Sequence, residues 1–294
     1  QCKCAKMKSG DLMIYIGLTG WGDHDSLYTE LSNKKDKLIT YASHFPIVEL
    51  DSTYYAVQRR STVEKWCDQT PDTFKFAVKA HQFMTGHSDY REHYDSIRDV
   101  FEAYKEMLVP MYQRNKLAFV LLQFPPWFDC NSKNIRYVKF ATELLKPFKV
   151  AVEFRNQTWF SDEYKEDTLG FLHDSEVIHS ICDEPQAGIG SVPFVNRVTD
   201  DTAFIRLHGR NVHGWTQQNR TSEEWRDVRY LYDYNRQELE WLEKQISILQ
   251  HKTKDIYIVF NNNSGGHAAG NAKQLISMLD IEYSGLAPKQ LKLF

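Results

Sequence analysis

Short hydrophobic runs recur along the chain, and most of them end in a polar or charged cluster. The eight runs span residues 14–17, 47–51, 74–79, 119–123, 150–155, 178–183, 204–208 and 256–261. Such runs are typical of strands buried on both faces, as in parallel sheets. Helical stretches separate them, so the pattern predicts an α/β fold, a single (β/α)8 barrel of the TIM type. The carboxyl ends of the strands, here called the mouth, carry the active site in that fold.

Apolar residues at spacings of three and four predict amphipathic helices between the strands. The clearest stretches are 88–109, 132–145 and 222–249. Ser61 with Glu64, and Thr221 with Glu224, have the spacing of a capping box, which satisfies first-turn amides. The last helix is predicted to begin near Ala268, with its amino end toward the mouth, where it favours negative charge.

Length and composition fit one large domain. The chain has 294 residues, 42% of them hydrophobic, and we predict a leader at 1–12, a barrel at 13–283 and a tail at 284–294. A net charge of -3 argues against a protein that coats nucleic acid through bulk charge. No apolar run reaches membrane-spanning length, so no membrane partner is predicted. Five scattered cysteines form no disulfide framework, which favours a cytoplasmic location.

Polar residues at the strand ends fall into two chemical groups. Acid/base chemistry is the predicted role of Glu49, Glu153, Asp183 and His208. Anion binding by Lys79, Arg155 and Arg206 is predicted because ammonium and guanidinium groups suit phosphate or carboxylate oxygens. Further predicted substrate contacts are Gln123, Asn261, Asn262, Tyr55 and Trp21. The amides supply hydrogen bonds, and the aromatic rings supply surfaces on which a base or sugar can stack.

Structural readings of the same residues stay open. Arg155 could form an ion pair with Glu153 or Asp183, because buried charges need partners. Lys79 could sit in a salt bridge, and His208 could be a satisfied core histidine. No cofactor is predicted; a divalent metal stays open, although metal sites need three or four convergent ligands.

The same strand ends carry a family resemblance. The matching segments are 17–21, 48–55, 74–79, 122–126, 152–155, 206–210 and 260–262 with 271–272. At these residues the chain resembles the YecE-like family, also called domain of unknown function seventy-two. The resemblance implies a TIM-type barrel with its site at these strand ends, and it implies no particular reaction.

The last five residues form a second motif. Gln290, Leu291, Leu293 and Phe294 resemble the pentapeptide that binds bacterial sliding clamps, in which these side chains fill a pocket. The competing interpretation is that the apolar residues pack back on the barrel.

Three functional hypotheses follow. The first is a hydrolase or related enzyme that acts on a small anionic, phosphate-bearing or nucleic acid substrate at the mouth. The second is a non-catalytic adaptor that binds a nucleotide or nucleic acid and uses its tail to bind a sliding clamp. The third is a metal-dependent isomerase or nuclease. Fold alone cannot choose among them, because barrels support many chemistries.

Overall fold

Eight parallel strands form the centre of the molecule. The structure is a computed structural model that describes residues 12–29, 37–216 and 221–289. The strands are β1 (Met13–Thr19), β2 (Ile47–Leu50), β3 (Lys75–Lys79), β4 (Leu117–Gln123), β5 (Val150–Glu153), β6 (Ile178–Asp183), β7 (Thr202–Leu207) and β8 (Asp255–Phe260). Each strand coincides with one of the predicted hydrophobic runs, with ends that differ by a few residues.

The strands close into a barrel in sequence order, with β1 paired in parallel to β8. Helices connect them, as right-handed crossover connections between parallel strands require. The predicted single (β/α)8 barrel of the TIM type is therefore confirmed.

Nine α-helices lie within the described residues. They are α1 (Lys37–Ala42), α2 (Arg60–Asp68), α3 (Ile97–Gln113), α4 (Ser132–Leu145), α5 (Lys165–Asp174), α6 (Val212–Trp215), α7 (Ser222–Arg229), α8 (Arg236–Gln250) and α9 (Ala268–Met278). The predictions for 132–145 and for a helix beginning near Ala268 are confirmed. The capping box of Thr221 and Glu224 is also present at the start of α7.

Three helix predictions were wrong in their bounds. The stretch 88–109 becomes helical only at Ile97, because Ser96 and Asp99 form a capping box there. The residue before α2 is Arg59 and not Ser61, which lies inside the helix. The long helix predicted at 222–249 is two helices, because Asn235 caps the start of α8 with its side chain and leaves 230–235 outside both.

Alternation along the strands separates two apolar layers. One set of side chains points into the barrel, including Phe119 and Phe204, whose ring centroids lie 4.6 Å apart. The other set packs against the helices in the main hydrophobic core. Since the side-chain period of a strand is two, residues two and four places after an interior side chain also face inward. This register determines which polar residues reach the mouth.

No helix in the described ranges combines the length and apolarity that crossing a bilayer requires.

Candidate active site at the barrel mouth

Arg206 lies at the base of the mouth and is held from three sides. It follows Phe204 by two positions on β7 and therefore points into the barrel. Its Nε and Nη2 donate to the two carboxylate oxygens of Glu49 at 2.8 and 2.6 Å. Its Nη1 donates to Glu153 at 2.5 Å and to Gln123 at 3.0 Å. Burial lowers the pKa of Arg206, but the Glu153 and Glu49 carboxylates outweigh this and hold it well above its ordinary value.

A second buried ion-pair row lies above Arg206. Glu153 Oε1 accepts from Arg155 Nη1 at 3.0 Å, and Arg155 Nη2 lies 3.5 Å from Glu184 Oε2 without forming a hydrogen bond. Burial raises the pKa of Glu153, yet Arg206, His208 and Arg155 outweigh it and hold the pKa well below the ordinary range. The structural alternative for Arg155 is thus realised with Glu153, while Arg155 keeps unsatisfied buried donors.

Glu184 has different surroundings from Glu49 and Glu153. Its Oε1 accepts from the Val192 amide at 2.7 Å, and its Oε2 has no hydrogen-bond partner among the described residues. Burial raises the pKa of Glu184 to about 7, although Arg155 opposes the shift. A carboxyl group with a pKa near 7 can give and take a proton at neutral pH.

His208 faces the same cluster as a neutral ring. The side-chain amide nitrogen of Asn261 lies 3.0 Å from Nδ1, which assigns the ring proton to Nε2. Nε2 points toward Glu153 Oε1 at 3.6 Å. Burial, with Arg206, lowers the pKa of His208 to about 3, so the ring carries no charge at neutral pH.

Lys79 ends β3 on the same inner face. Its ammonium lies 4.5 Å from the centre of the Tyr54 ring and makes no hydrogen bond or ion pair with any residue in the described ranges. Burial and the Arg206 charge lower its pKa. The salt-bridge alternative for Lys79 is therefore absent here, and the ammonium is available to a ligand.

The connection between β7 and β8 covers the mouth. Trp215 lies over the Arg155 guanidinium at 4.8 Å, and Arg229 stacks on Trp215 at 4.6 Å. Tyr230 lies 5.9 Å from the His208 ring. Burial raises the pKa of Tyr230, but the charges of Arg229, Arg155, Lys79 and Arg206 outweigh it and lower the pKa below its ordinary value. Tyr230 is thus a phenol surrounded by cations.

Polar side chains hold this connection in place. Asn271 on α9 accepts from the Tyr234 amide at 3.1 Å and from Asn262 Nδ2 at 2.8 Å, and it donates to Asp233 at 2.9 Å. Gly209 permits the turn after β7, because its φ is +83° and a Cβ there would lie 2.5 Å from Cβ of Tyr232. The tyrosine segment 230–234 thereby reaches the mouth, where Tyr230 contacts His208.

Positive charge exceeds negative charge in this cluster. The cations are Lys79, Arg155, Arg206 and Arg229, and the carboxyl groups are Glu49, Glu153 and Glu184. Protonation of Glu184 increases the excess. Lys79 and Arg229 lack a carboxylate partner in the part of the chain that the structure describes. Buried cations without partners are costly, so this excess of positive charge needs compensation.

A metal site at the same place does not fit the donors. Ligand atoms of Glu153, Cys182 and His208 lie within 4.8 Å of one another. Both oxygens of Glu153 already face guanidinium groups, and burial raises the pKa of the Cys182 thiol well above its ordinary value. The neutral thiol is a poor ligand, and the surrounding arginines repel a divalent cation.

Four predicted residues do not join the cluster. Asp183 points the other way along β6, where Arg210 binds both of its oxygens and Tyr234 donates to it at 2.6 Å. Asn262 is buried and donates to the carbonyl of Tyr232. Trp21 packs edge-to-face on Trp66, and Tyr55 is 62% exposed at the outer rim of the mouth. The proposed clamp residues Gln290, Leu291, Leu293 and Phe294 lie outside the described residues.

Three residues of the cluster were not among the predicted site residues. Glu184 lies one position beyond the sixth hydrophobic run, and strand alternation from Ile178 would have placed it inside. Arg229 and Tyr230 come from a connection remote from any strand end. The alternation of Tyr230, Tyr232 and Tyr234 was the available signal, because a period of two indicates extended chain and not helix.

Comparisons with known proteins place the chain among relatives of similar length. The family model described as a protein of unknown function, DUF72, matches residues 15–292. UPF0759 protein YunF of Bacillus subtilis is 53% identical over 283 residues, which cover 96% of this chain and 100% of that protein.

Solved structures agree with the sequence match. A DUF72 family protein of Enterococcus faecalis superimposes with a TM-score of 0.88 at 34% identity, covering 95% of this chain and 100% of that one. A DUF72 family protein of Thermotoga maritima gives a TM-score of 0.77 at 30% identity, covering 92% and 100%. The family model and these relatives together show that this chain belongs to the DUF72 family.

Proposed function

We propose that the protein is an enzyme, a hydrolase or a related one, that acts on an anionic, phosphate-bearing substrate at the mouth of the barrel. The main support is a pair of cations, Lys79 and Arg229, that have no carboxylate partner among the described residues and lie beside the unsatisfied donors of Arg155. The position supports the proposal, because barrel enzymes bind substrate at the carboxyl ends of their strands.

The cations divide into supporting and binding groups. Arg206 has its donors directed at Glu49, Glu153 and Gln123, so it serves as a rigid base for the site. Arg155 and Lys79 keep donors free, and their geometries complement each other. A guanidinium binds two oxygens of a phosphate in a fork, and an ammonium adds a compact charge.

Glu184 is the proposed general acid and base. It combines a pKa of about 7, a free carboxyl oxygen and contact with Arg155. Glu153, predicted earlier for this role, stays ionised between two arginines and is a weak base. His208, predicted as a general acid, is neutral at physiological pH and can only orient a group through Nε2–H. Asp183 points away from the mouth.

Anion binding is tested directly by titrating inorganic phosphate into the purified protein. Lys79→Met should weaken binding by at least about tenfold, because a charge-assisted contact contributes about 1.5–3 kcal/mol. Lys149→Met is the matched control: it removes the same charge from an exposed cluster with Asp200 and Asp201. Equal affinities in all three proteins, or no binding by the wild type, would contradict the proposal.

Turnover is tested with a panel of phosphate monoesters and diesters. Glu184→Gln should abolish hydrolysis of any ester that the wild type cleaves and should leave phosphate affinity within about twofold, because the neutral amide keeps the shape of the protonated acid. Full activity of this variant would remove Glu184 from the chemistry, and failure of the whole panel would contradict phosphoester hydrolysis.

A further inference from the structure

A strip of aromatic side chains begins at Lys79 and runs outward from the mouth, from half-buried rings to exposed ones. We call it the aromatic platform, and it consists of Tyr54, Tyr55, His87 and Trp127. These residues come from the loops that follow β2, β3 and β4, which are neighbours in the barrel. The centroid distances are 5.0 Å from Tyr54 to Tyr55, 5.3 Å from Tyr54 to His87 and 5.9 Å from His87 to Trp127. The rings therefore form a continuous surface.

The outer rings are exposed although their loops are firmly held. Trp127 is 67% exposed. The residues before and after Trp127 in the chain are anchored. Asn156 donates to the Pro126 carbonyl at 2.7 Å, and Trp159 donates to the Phe128 carbonyl at 2.7 Å. A large aromatic ring presented to solvent by a braced loop is a feature of binding sites.

The platform adjoins the anion site directly. The Lys79 ammonium lies over the Tyr54 ring, and the Lys79 and Arg155 charges both act on His87. Burial, with these charges, lowers the pKa of His87 to about 4, so it contributes a neutral ring at physiological pH. A phosphate held by Lys79 would thus have aromatic rings beside it, each in edge contact with the next.

We propose that the aromatic platform stacks the base of a nucleotide, or of one unit of a single-stranded nucleic acid, whose phosphate lies at Lys79. The inference rests on the function proposed above and names its substrate class. Every base has a π-face, so stacking suits a platform that offers rings.

A sugar needs many hydrogen-bonding groups, and two pairs of the nearby ones are already engaged with each other. Gln82 Oε1 accepts from Ser88 at 2.8 Å, and the Thr85 hydroxyl pairs with His87 Nδ1 at 2.8 Å. The cations deep in the site therefore match the phosphate of a nucleotide, and the rings at the rim match its nucleobase.

Three titrations separate the platform from the anion site: inorganic phosphate, ribose 5-phosphate and adenosine 5′-monophosphate. The wild type should bind the nucleotide about 5- to 150-fold more tightly than the sugar phosphate, because one stacked base contributes about 1–3 kcal/mol. Trp127→Ala should lower the affinity for the nucleotide to nearly that for the sugar phosphate. It should leave the affinity for inorganic phosphate unchanged. Tyr112→Ala, which removes a 46% exposed ring from α3, is the matched control and should behave as the wild type.

Each failure points to one proposal. Equal affinity for nucleotide and sugar phosphate, with no effect of Trp127→Ala, would overturn the platform and leave the phosphate site standing. No binding of inorganic phosphate would count against the proposed function. Titration with adenosine then tests the platform alone: binding that Trp127→Ala removes would support it, and no binding would overturn it.

Discussion

At the scale of single residues, two lysines near the barrel wall are in opposite environments. The Lys116 ammonium is buried and donates to the carbonyls of Cys67 and Thr70 at 2.7 and 2.6 Å, and to the Thr70 hydroxyl at 3.1 Å. Within the described ranges, the Lys79 ammonium has only the face of Tyr54 as a partner. The first lysine contributes to the fold, whereas the second has donors that the fold does not use.

This contrast predicts opposite effects on stability. Lys116→Met should lower the free energy of unfolding by at least about 2 kcal/mol, because buried acceptors lose their donor. Lys79→Met should leave it unchanged or raise it slightly, since a poorly compensated charge is removed. Chemical denaturation of both variants decides the point, and a large loss of stability in Lys79→Met would mean that the ammonium is structural.

Glu184 should make stability depend on pH. Its pKa is raised from 4.5 to about 7 in the folded protein, so the protonated form is favoured by folding. The resulting stabilisation is complete below about pH 4.5 and is lost as the pH rises through about 7. The free energy of unfolding of the wild type should therefore fall by about 3 kcal/mol relative to that of Glu184→Gln between about pH 4.5 and 8.

The comparison requires unfolding free energies across that range for three proteins. Glu102→Gln, on the exposed face of α3, is the control and should run parallel to the wild type. A constant difference between wild type and Glu184→Gln would show that Glu184 ionises normally.

The prediction of Asp183 in place of Glu184 was wrong by one position along the chain. Asp183 and Glu184 are adjacent acids at the end of β6, and both are plausible from composition. Only alternation separates them, because successive side chains of a strand point to opposite faces. The strand-end positions of Glu153, Arg155 and Arg206 were predicted correctly. Their pairing was not predictable, since Arg206 and Glu49 are 157 residues apart in the sequence.

At the scale of elements, the connection between β7 and β8 determines how the mouth is covered. Hydrophobic runs predicted the strands well because buried strands must be apolar on both faces. This connection was harder to predict, since its shape depends on tertiary hydrogen bonds made by Asn271 on α9. Such contacts have no local sequence signature.

Asn271→Ala should therefore release the connection without unfolding the barrel. The variant should lose about 1–3 kcal/mol of stability, because buried partners at Tyr234 and Asn262 are left unsatisfied. Hydrogen exchange should accelerate at 230–235 more than in the strands. Asn134→Ala, which removes a surface side-chain bond to Asp129, is the control. Unchanged exchange at 230–235 would refute the bracing role.

At the scale of the whole molecule, the segment 290–294 carries a separate prediction. Lys289 is the last described residue, and the segment that resembles a clamp-binding motif follows it directly in the sequence. Replacing Leu291 and Phe294 by Ala should abolish binding to a purified bacterial sliding clamp, because both are anchor positions of the motif. Lys292→Ala, between the anchors, should bind as the wild type. Equal binding of all three proteins, or none by the wild type, would remove the clamp as a partner.

The closed barrel brings together strand ends that are distant in sequence, and the central claim is that they form one anion site. A crystal soaked in tungstate, a heavy analogue of phosphate, tests this most directly. The account predicts anomalous density within hydrogen-bonding distance of Lys79 Nζ and Arg155, beneath Trp215 and Arg229. Tungstate bound only elsewhere on the protein, in a crystal that leaves the mouth accessible to solvent, would contradict the claim of one anion site.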